Sequence, residues 1–228
     1  PSSPLHGLPK LKVLEKPIRW FDPTEEEALR TALERRDNRK LADRLKYNEW
    51  LSERHKTPLP VPNCYPCIDH LTPIVELGLG TGLRLGEILA LSWDSFSAEI
   101  DQVTVVGKSG RIRVVPLNHD VHNILTQWKE WVELQGIASH SKSPVFPNKQ
   151  GKHMTSVKTA WNKLVKDAGL PPTGFHATRR TFGSKLISNG VNSLRVARLL
   201  GHSSVTVTER HYIGLLQDEN KKAVADLM

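Results

Sequence analysis

Two neighbouring stretches decide how this chain is interpreted: FHATRRTFGSKL at 175–186 and LLGHSSVTVTERHY at 199–212. Together they contain His176, Arg179, His202 and Tyr212. Arginine and histidine side chains bind phosphate groups and move their protons, and a tyrosine oxygen can attack phosphorus. His176 and Arg179 are three residues apart, so on a helix they share a face and could point at one ligand. The same residues also fit a solvated basic helix with a surface tyrosine, so the rest of the chain must decide between the two interpretations.

The composition indicates a globular protein with a polyanionic partner. The chain has 228 residues, a formal net charge of +8 and a pI near 9.6. A chain of this length can bury a substantial core, and a basic balance of this size favours nucleic acid as the partner. The sequence contains neither a signal-peptide pattern nor an apolar run long enough to span a membrane. We therefore predict a cytoplasmic, nucleoid-associated protein with no membrane partner.

The amino-terminal part predicts a linker followed by a charged helical region. Residues 1–23 contain five prolines and little periodicity, which is typical of an extended interdomain linker in a longer protein. A capping box formed by Thr24 and Glu27 predicts that the first helix starts at Thr24. The segment 35–55 is strongly charged but keeps leucines at helical spacings, which predicts one solvated helix or a pair of short ones. We interpret about 37–68 as an insertion.

Cys64 and Cys67 are three positions apart and are followed by His70. A Cys-x-x-Cys pair with a nearby histidine can form part of a zinc site. A second spaced pair of ligands is missing and the surrounding loop is rich in proline, so two thiols in a surface insertion are the favoured interpretation. No metal or other cofactor is predicted.

Beyond His70 the chain becomes regular and predicts a mainly α fold with a small antiparallel β-sheet, that is, an α+β fold. A buried helix from Leu71 should be broken by three closely spaced glycines before a second helix opens at Arg84. These glycines lack the Lys-Ser/Thr pair of a phosphate-binding P-loop, which argues against nucleotide binding. Two β-branched runs around a Gly-Lys-Ser-Gly turn predict a hairpin. The strands are expected at 103–106 and 112–115, and further helices at 118–134, 155–168, 179–189, 193–200 and 215–227.

The order of four motifs resembles one family. TGLRLGEILALSW at 81–93 and GKSGRIRVVPL at 107–117 precede the two stretches quoted above. This order strongly resembles the catalytic domain of the tyrosine recombinases, the phage-integrase family of DNA strand-exchange enzymes. The resemblance extends from about Phe21 to Met228. It implies the tyrosine recombinase catalytic-domain fold at 24–213, a carboxy-terminal helix or tail at 214–228, and an amino-terminal DNA-binding domain that is absent from this chain.

The resemblance implies six catalytic residues: Arg84, Lys108, His176, Arg179, His202 and Tyr212. Arg84 and Arg179 would bind the phosphoryl oxygens of a DNA phosphodiester, and His202 would donate a hydrogen bond to one of them. His176 would take the proton of Tyr212, the nucleophile, and Lys108 would protonate the departing 5′-oxygen.

Four further residues are predicted to support the reaction. Glu87 matches an acidic residue that in relatives supports the first arginine, so we expect a structural role. Arg111 and Arg113 on the hairpin, and Arg180 beside Arg179, are expected to contact the DNA backbone.

The position of the nucleophile departs slightly from the pattern of many relatives. They place the tyrosine nine residues after the histidine of the Leu-Gly-His motif, where this chain has His211. Tyr212 is the tenth residue, and a shift of one is a known variation in the family. Only a tyrosine can form the phosphotyrosine, so Tyr212 is preferred to Tyr47 and Tyr65, which lie in the poorly matched insertion.

The resulting functional prediction is a site-specific recombinase that integrates or excises a mobile element. It would cleave and rejoin DNA through a 3′-phosphotyrosine intermediate without metal or ATP. The predicted partners are double-stranded DNA attachment sites, accessory DNA-bending or directionality factors, and other copies in a homotetramer assembled on DNA. The segment 214–228 would be exchanged between protomers or, equally well, dock on its own domain. The alternatives are a type IB topoisomerase-like enzyme and a DNA-binding regulator that does not cleave.

Overall fold

A computed structural model describes residues 19–62, 67–107, 110–137, 140–210 and 212. Several predictions concern residues outside this part of the chain. They include most of the linker, Cys64, Tyr65, Lys108, His211 and the helix at 215–227.

The described residues form seven named helices and a two-stranded antiparallel sheet, which confirms the predicted fold class. Residues 205–210 and Tyr212 are also helical, and a short 3₁₀ helix covers Trp93–Ser95. The named elements are α1 (Pro23–Ser52), α2 (Leu71–Thr81), α3 (Leu85–Leu89), β1 (Gln102–Val106), β2 (Ile112–Pro116), α4 (His119–Leu134), α5 (Lys158–Asp167), α6 (His176–Ser188) and α7 (Ser193–Leu200).

Helix α1 is one continuous helix, and it begins before the predicted Thr24. Asp22 is its N-cap, and its side chain accepts a hydrogen bond from the Glu25 amide while Glu25 bonds back to the Asp22 amide. Pro23 occupies the first helical position, where its missing N–H costs nothing. The residue before the cap, Phe21, is 2% exposed and its amide donates to Thr181 Oγ1 at 2.8 Å. The predicted linker therefore ends earlier than residue 23, because the chain is already packed against α6 at Phe21.

Helix α2 lies at the centre of the domain and packs against both α4 and α6. It passes through Gly78 and Gly80 without a break and ends at Gly82, which has a left-handed φ of 64°. The two internal glycines serve close packing instead. A Cβ on Gly78 would lie 2.7 Å from Thr178 Oγ1 of α6, and one on Gly80 would lie 2.3 Å from the side chain of Val121 of α4. The prediction that all three glycines break the helix was therefore wrong for the first two.

The bounds of the hairpin and of α7 agree closely with the predicted ones, whereas those of α5 and α6 differ by three residues at the start. The hairpin pairs Val105 with Arg113 and lies within one residue of the predicted strands. Helix α7 has the predicted bounds, whereas α5 starts three residues later than expected. Helix α6 starts at His176, three residues before the predicted start, so His176 and Arg179 belong to one helix. None of the described helices combines the length and apolar character needed to cross a membrane.

We predict that Gly80→Ala destabilises the fold by about 1–3 kcal/mol, because the added methyl group overlaps Val121 at the interface of α2 and α4. Urea denaturation would measure this loss as a lower midpoint. Gly86→Ala is the matched control, since a Cβ there has no neighbouring atom within 4 Å. Equal midpoints for the two variants would contradict the packing role of Gly80.

Candidate active site

The turn between α2 and α3 presents Arg84. Gly82 is needed at this turn, because its φ is positive and a Cβ would lie 2.5 Å from Phe182 and 2.7 Å from Leu200. Arg84 is the N-cap residue of α3. Glu87, three residues later, accepts hydrogen bonds from the Arg84 amide at 2.8 Å and from its Nη1 at 3.0 Å. In this structure Glu87 therefore binds both the backbone and the side chain of Arg84.

Arg113 on β2 binds the same carboxylate. Its Nη1 and Nη2 donate to Oε1 and Oε2 of Glu87 at 3.1 and 2.7 Å, and its Nε donates to the Leu199 carbonyl at 3.0 Å. The Arg113 side chain is only 9% exposed. Its guanidinium is therefore committed to contacts within the protein and not displayed for the predicted contact with the DNA backbone.

The carboxylate of Glu87 is stabilised in its charged form. Burial alone would raise its pKa, but the hydrogen bonds from Arg113 and Arg84 outweigh burial and hold the pKa below its usual value. Glu87 therefore stays ionised at neutral pH and keeps both arginines bound.

Arg179 lies inside the fold and ties three segments together. Its side chain is 2% exposed, and it donates from Nη1 to the Gly82 carbonyl at 2.8 Å and from Nη2 to the Leu200 carbonyl. Burial, followed by the nearby positive charge of Arg84, lowers its pKa to about 9, so it remains charged at neutral pH. The predicted phosphate-binding arginine thus sits against the Gly82 turn and the end of α7.

A pocket of about 650 Å³ opens above these contacts. It is strongly basic, and four of the predicted site residues line it: Arg84, Arg111, Arg113 and His202. Its lining residues are Arg84, Gly107, Arg111, Ile112, Arg113, Arg198, Gly201, His202 and Ser203.

Two residues of this region were missed by the sequence analysis. Arg198 is in the last turn of α7 and lines the pocket, and its place as a basic residue just before the Leu-Gly-His motif was a usable signal. Thr208 is fully buried, and its Oγ1 lies 2.6 Å from Nδ1 of His202, so it orients the imidazole ring. Nothing in the local sequence pattern distinguishes Thr208 from the neighbouring threonine.

His176 and Arg180 lie in a different pocket, of about 520 Å³, together with Arg19. His176 is exposed at the first position of α6, whereas Arg179 is buried. In this structure the two side chains therefore do not point at one ligand, contrary to the prediction from their spacing. Neighbouring positions on a helix can face different surroundings when only one edge of the helix is packed.

Tyr212 is buried beside α6. It is 2% exposed, packs with Ile187, Val196 and Leu200, and donates from its hydroxyl to the Arg180 carbonyl at 3.3 Å. Burial raises its pKa to about 12, although the positive charges of Arg179 and Arg180 act in the opposite direction. The phenol is therefore protonated at neutral pH, and it does not line the basic pocket in this conformation.

Of the two cysteines in the Cys-x-x-Cys pair, the structure describes Cys67. Cys67 is 1% exposed, and its Sγ lies 3.9 Å from the Ile124 carbonyl. Burial raises the pKa of this thiol, which disfavours the thiolate that binds metals. No group of three or more His, Cys, Asp or Glu side chains among the described residues could hold a metal ion.

Comparison with known proteins identifies the family. Residues 60–219 match the model of the phage integrase family, which is more than two thirds of the chain. The chain therefore belongs to the phage integrase family, the family that its motifs resemble.

Similar curated proteins are tyrosine recombinases of the Xer type. The chain is 28% identical over 190 residues to a tyrosine recombinase XerC-like protein of Caldanaerobacter subterraneus, an alignment that covers 69% of this chain and 49% of that protein. It is 31% identical over 139 residues to the tyrosine recombinase XerC of Xylella fastidiosa, covering 60% of this chain and 46% of the relative. The chain thus spans about half the length of the curated relatives it matches.

Solved structures of similar fold include recombinases bound to DNA. The XerH site-specific recombinase in a post-cleavage complex with a palindromic difH substrate matches with a TM-score of 0.64 and 18% identity, over 91% of this chain and 53% of that one. The Tn1549 transposon integrase with transposon right-end DNA matches with a TM-score of 0.63 and 19% identity, over 93% of this chain and 68% of that one. At these identities the comparison establishes the fold of the domain.

We predict that Gly183→Ala releases Tyr212 from its buried position, because a Cβ at Gly183 would lie 2.1 Å from the Tyr212 hydroxyl. The tyrosine should then titrate near its usual pKa of about 10. A spectrophotometric pH titration of tyrosinate absorbance would measure the shift, with Tyr212→Phe identifying the signal and Gly86→Ala as the control. A high-pKa tyrosine that persists in Gly183→Ala would contradict this packing.

Proposed function

We propose that this chain is the catalytic part of a site-specific DNA recombinase that cleaves and rejoins strands through a 3′-phosphotyrosine intermediate on Tyr212. One observation carries this proposal. Around the basic pocket, within the described residues, the guanidiniums of Arg84 and Arg113 both bind the carboxylate of Glu87, and the buried guanidinium of Arg179 lies close enough for all three charges to affect its pKa. Such an excess of partly buried positive charge is unfavourable until an anion binds, and a phosphodiester is an anion of suitable size and geometry.

Arg84 is the residue best placed to bind that phosphate directly. Its side chain is 40% exposed and lines the pocket, while Glu87 fixes its position from below. A guanidinium binds two phosphoryl oxygens through paired, charge-assisted hydrogen bonds. Arg179 would add charge beneath the phosphate, and its hydrogen bonds to Gly82 and Leu200 would keep that charge in place as negative charge grows in the transition state.

The nucleophile must move before it can react. The hydroxyl of Tyr212 is bonded to the Arg180 carbonyl and lies outside the pocket lining, so the proposed reaction begins with release of this side chain. The phenol also needs a base, because its pKa of about 12 leaves it protonated. We assign this role to His176, which lies one helical turn before Arg180 on α6.

Protonation of the leaving group and support of the phosphate complete the proposed chemistry. Lys108, in the turn of the hairpin, would protonate the departing 5′-oxygen. This role is supported by the family resemblance, since Lys108 lies outside the described residues. His202, oriented through Nδ1 by Thr208, would donate from Nε2 to a phosphoryl oxygen. The phosphotyrosine link conserves the energy of the broken bond, so rejoining would need no ATP.

The proposed substrates are double-stranded DNA attachment sites of a mobile element, and the proposed working unit is a tetramer assembled on DNA. Strand exchange between two duplexes needs four cleavages, which requires four nucleophiles. The segment 214–228 is proposed to pass between protomers, and accessory DNA-bending or directionality factors would act on the same assembly. The DNA complexes of similar fold described above support DNA as the partner.

We predict that the wild-type chain becomes covalently attached to nicked duplexes drawn from a pool of randomised sequences. Tyr212→Phe should form no adduct while binding DNA normally, because only the phenolic oxygen is lost. Denaturing electrophoresis of labelled DNA would detect the adduct, and Tyr47→Phe is the matched control. Absence of an adduct with the wild-type chain would leave a DNA-binding regulator that does not cleave as the only remaining alternative. Relaxation of supercoiled DNA without recombination of the captured sequences would indicate the topoisomerase alternative.

Covalent capture should be unchanged by EDTA, because guanidinium groups take the place that a metal ion has in many phosphoryl-transfer sites. The rate of adduct formation with and without chelator, measured on the sequences recovered from the pool, tests this. Loss of cleavage that Mg²⁺ restores would contradict a metal-independent mechanism. Restoration by zinc alone would direct attention to the segment containing Cys64 and Cys67.

A further inference from the structure

Arg113 connects two segments of the basic pocket that are distant in sequence, the start of α3 and the end of α7. Through Nη1 and Nη2 it binds both carboxylate oxygens of Glu87, and the same carboxylate holds Arg84. Through Nε it binds the Leu199 carbonyl in the last turn of α7, three residues before His202. All three nitrogens of one rigid, planar group are therefore engaged, and the group spans the distance between the two segments.

The surroundings of Arg113 are shaped to keep this arrangement. Gly201 follows α7 with a φ of 67°, and a Cβ there would lie only 3.0 Å from Cδ and Nη1 of Arg113. The absence of a side chain at Gly201 thus allows the arginine to reach the Leu199 carbonyl. A helix carboxy-terminus also favours a cation, which adds to the attraction.

Arg113 also lies close to Gly107, the last described residue before the turn of the hairpin. It is on β2, opposite Val105 of β1, and its Nη1 would be 3.8 Å from a Cβ placed on Gly107. Gly107 donates its amide to the Arg111 carbonyl at 2.8 Å, which closes the hairpin just before Lys108 in the sequence. The anchoring of Arg113 to Glu87 and α7 therefore fixes the hairpin whose turn contains the proposed acid.

We propose that Arg113 is a positioning residue that sets the relative placement of Arg84, His202 and the Lys108 hairpin around the phosphate, and that it does not contact DNA itself. The proposal rests on the recombinase function proposed above. The 9% exposure of Arg113 and its three hydrogen bonds within the protein distinguish it from Arg111, which directly precedes β2 and is exposed. Lysine cannot replace it, because an ammonium group cannot bind both oxygens of Glu87 and the Leu199 carbonyl in one plane.

The test compares Arg113→Lys and Arg113→Gln with the wild-type chain on duplexes recovered by covalent capture. At saturating protein, single-turnover cleavage should fall by on the order of 10²-fold in both variants, since misplacement by about 1 Å has effects of that size. DNA affinity and the slope of log affinity against log salt should stay at the wild-type values. Arg111→Gln should instead weaken binding and reduce that slope by about 0.9, the loss of one phosphate contact.

A double-mutant cycle tests whether Arg113 affects the cleavage rate through its contact with Glu87. If Arg113 acts through Glu87, then Arg113→Gln in a Glu87→Gln background should cost little further cleavage rate, because the shared contact is already lost. Arg195→Gln is the control for removal of a positive charge, since Arg195 is exposed on α7 and lies outside the pocket lining. It should cleave and bind like the wild-type chain.

Three results would overturn the proposal. Binding defects in Arg113→Gln that match those of Arg111→Gln, with normal cleavage at saturation, would make Arg113 a DNA contact. A lower melting temperature with an unchanged cleavage rate of the folded protein, in Arg113→Lys as well, would make it a purely structural residue. If the wild-type chain forms no adduct, the recombinase function fails and the positioning role fails with it. That outcome is recognisable because it appears before any variant is compared.

Discussion

The candidate site depends on one buried guanidinium. Arg179 donates to the carbonyl of Gly82 and to that of Leu200, and so joins α6 to the turn before Arg84 and to the end of α7 before His202. These carbonyls belong to segments more than a hundred residues apart in sequence, and no other buried cation among the described residues binds both. A guanidinium suits this task because its N–H groups diverge within a plane and can serve two acceptors while the charge is retained.

The arrangement has an electrostatic cost that a substrate would offset. Arg84 and Arg113 lie close to Arg179, and burial together with these charges lowers its pKa to about 9. Glu87 compensates only part of the charge, even though it accepts four hydrogen bonds from the two neighbouring arginines. A site that is unfavourably positive when empty becomes favourable when a phosphodiester enters. The same charge would then stabilise the additional negative charge of the transition state.

Much of the fold was predictable because its signals are local. Helix α7 begins after Asn192, whose side chain caps Leu194, and ends at a glycine in the left-handed conformation, so its bounds were correct. The predicted start of α1 was wrong because Asp22 and Thr24 are both acceptable N-cap residues. Only the packing of Phe21 on α6 selects Asp22.

The sequence could propose candidate site residues but not their geometry. The family resemblance implied roles for Arg84, Arg179 and Tyr212, yet the helical spacing of His176 and Arg179 does not reveal which edge of α6 is buried. The role of Arg113 depends on contacts with Glu87 and Leu199 that are distant in sequence, and the burial of Tyr212 depends on a glycine one helix away. Such long-range contacts leave no local pattern, so the sequence alone could not separate an anchoring arginine from one that contacts DNA.

The most direct test of the central claim is to identify the protein residue joined to DNA. Covalent complexes formed on the recovered duplexes would be digested with protease and nuclease, and the remaining nucleotide-linked peptide sequenced by mass spectrometry. A single peptide that carries a 3′-nucleotide on Tyr212 is the predicted result. A link to any other residue, or a link through the 5′-phosphate, would contradict the account of this pocket as the site where Tyr212 attacks the phosphodiester.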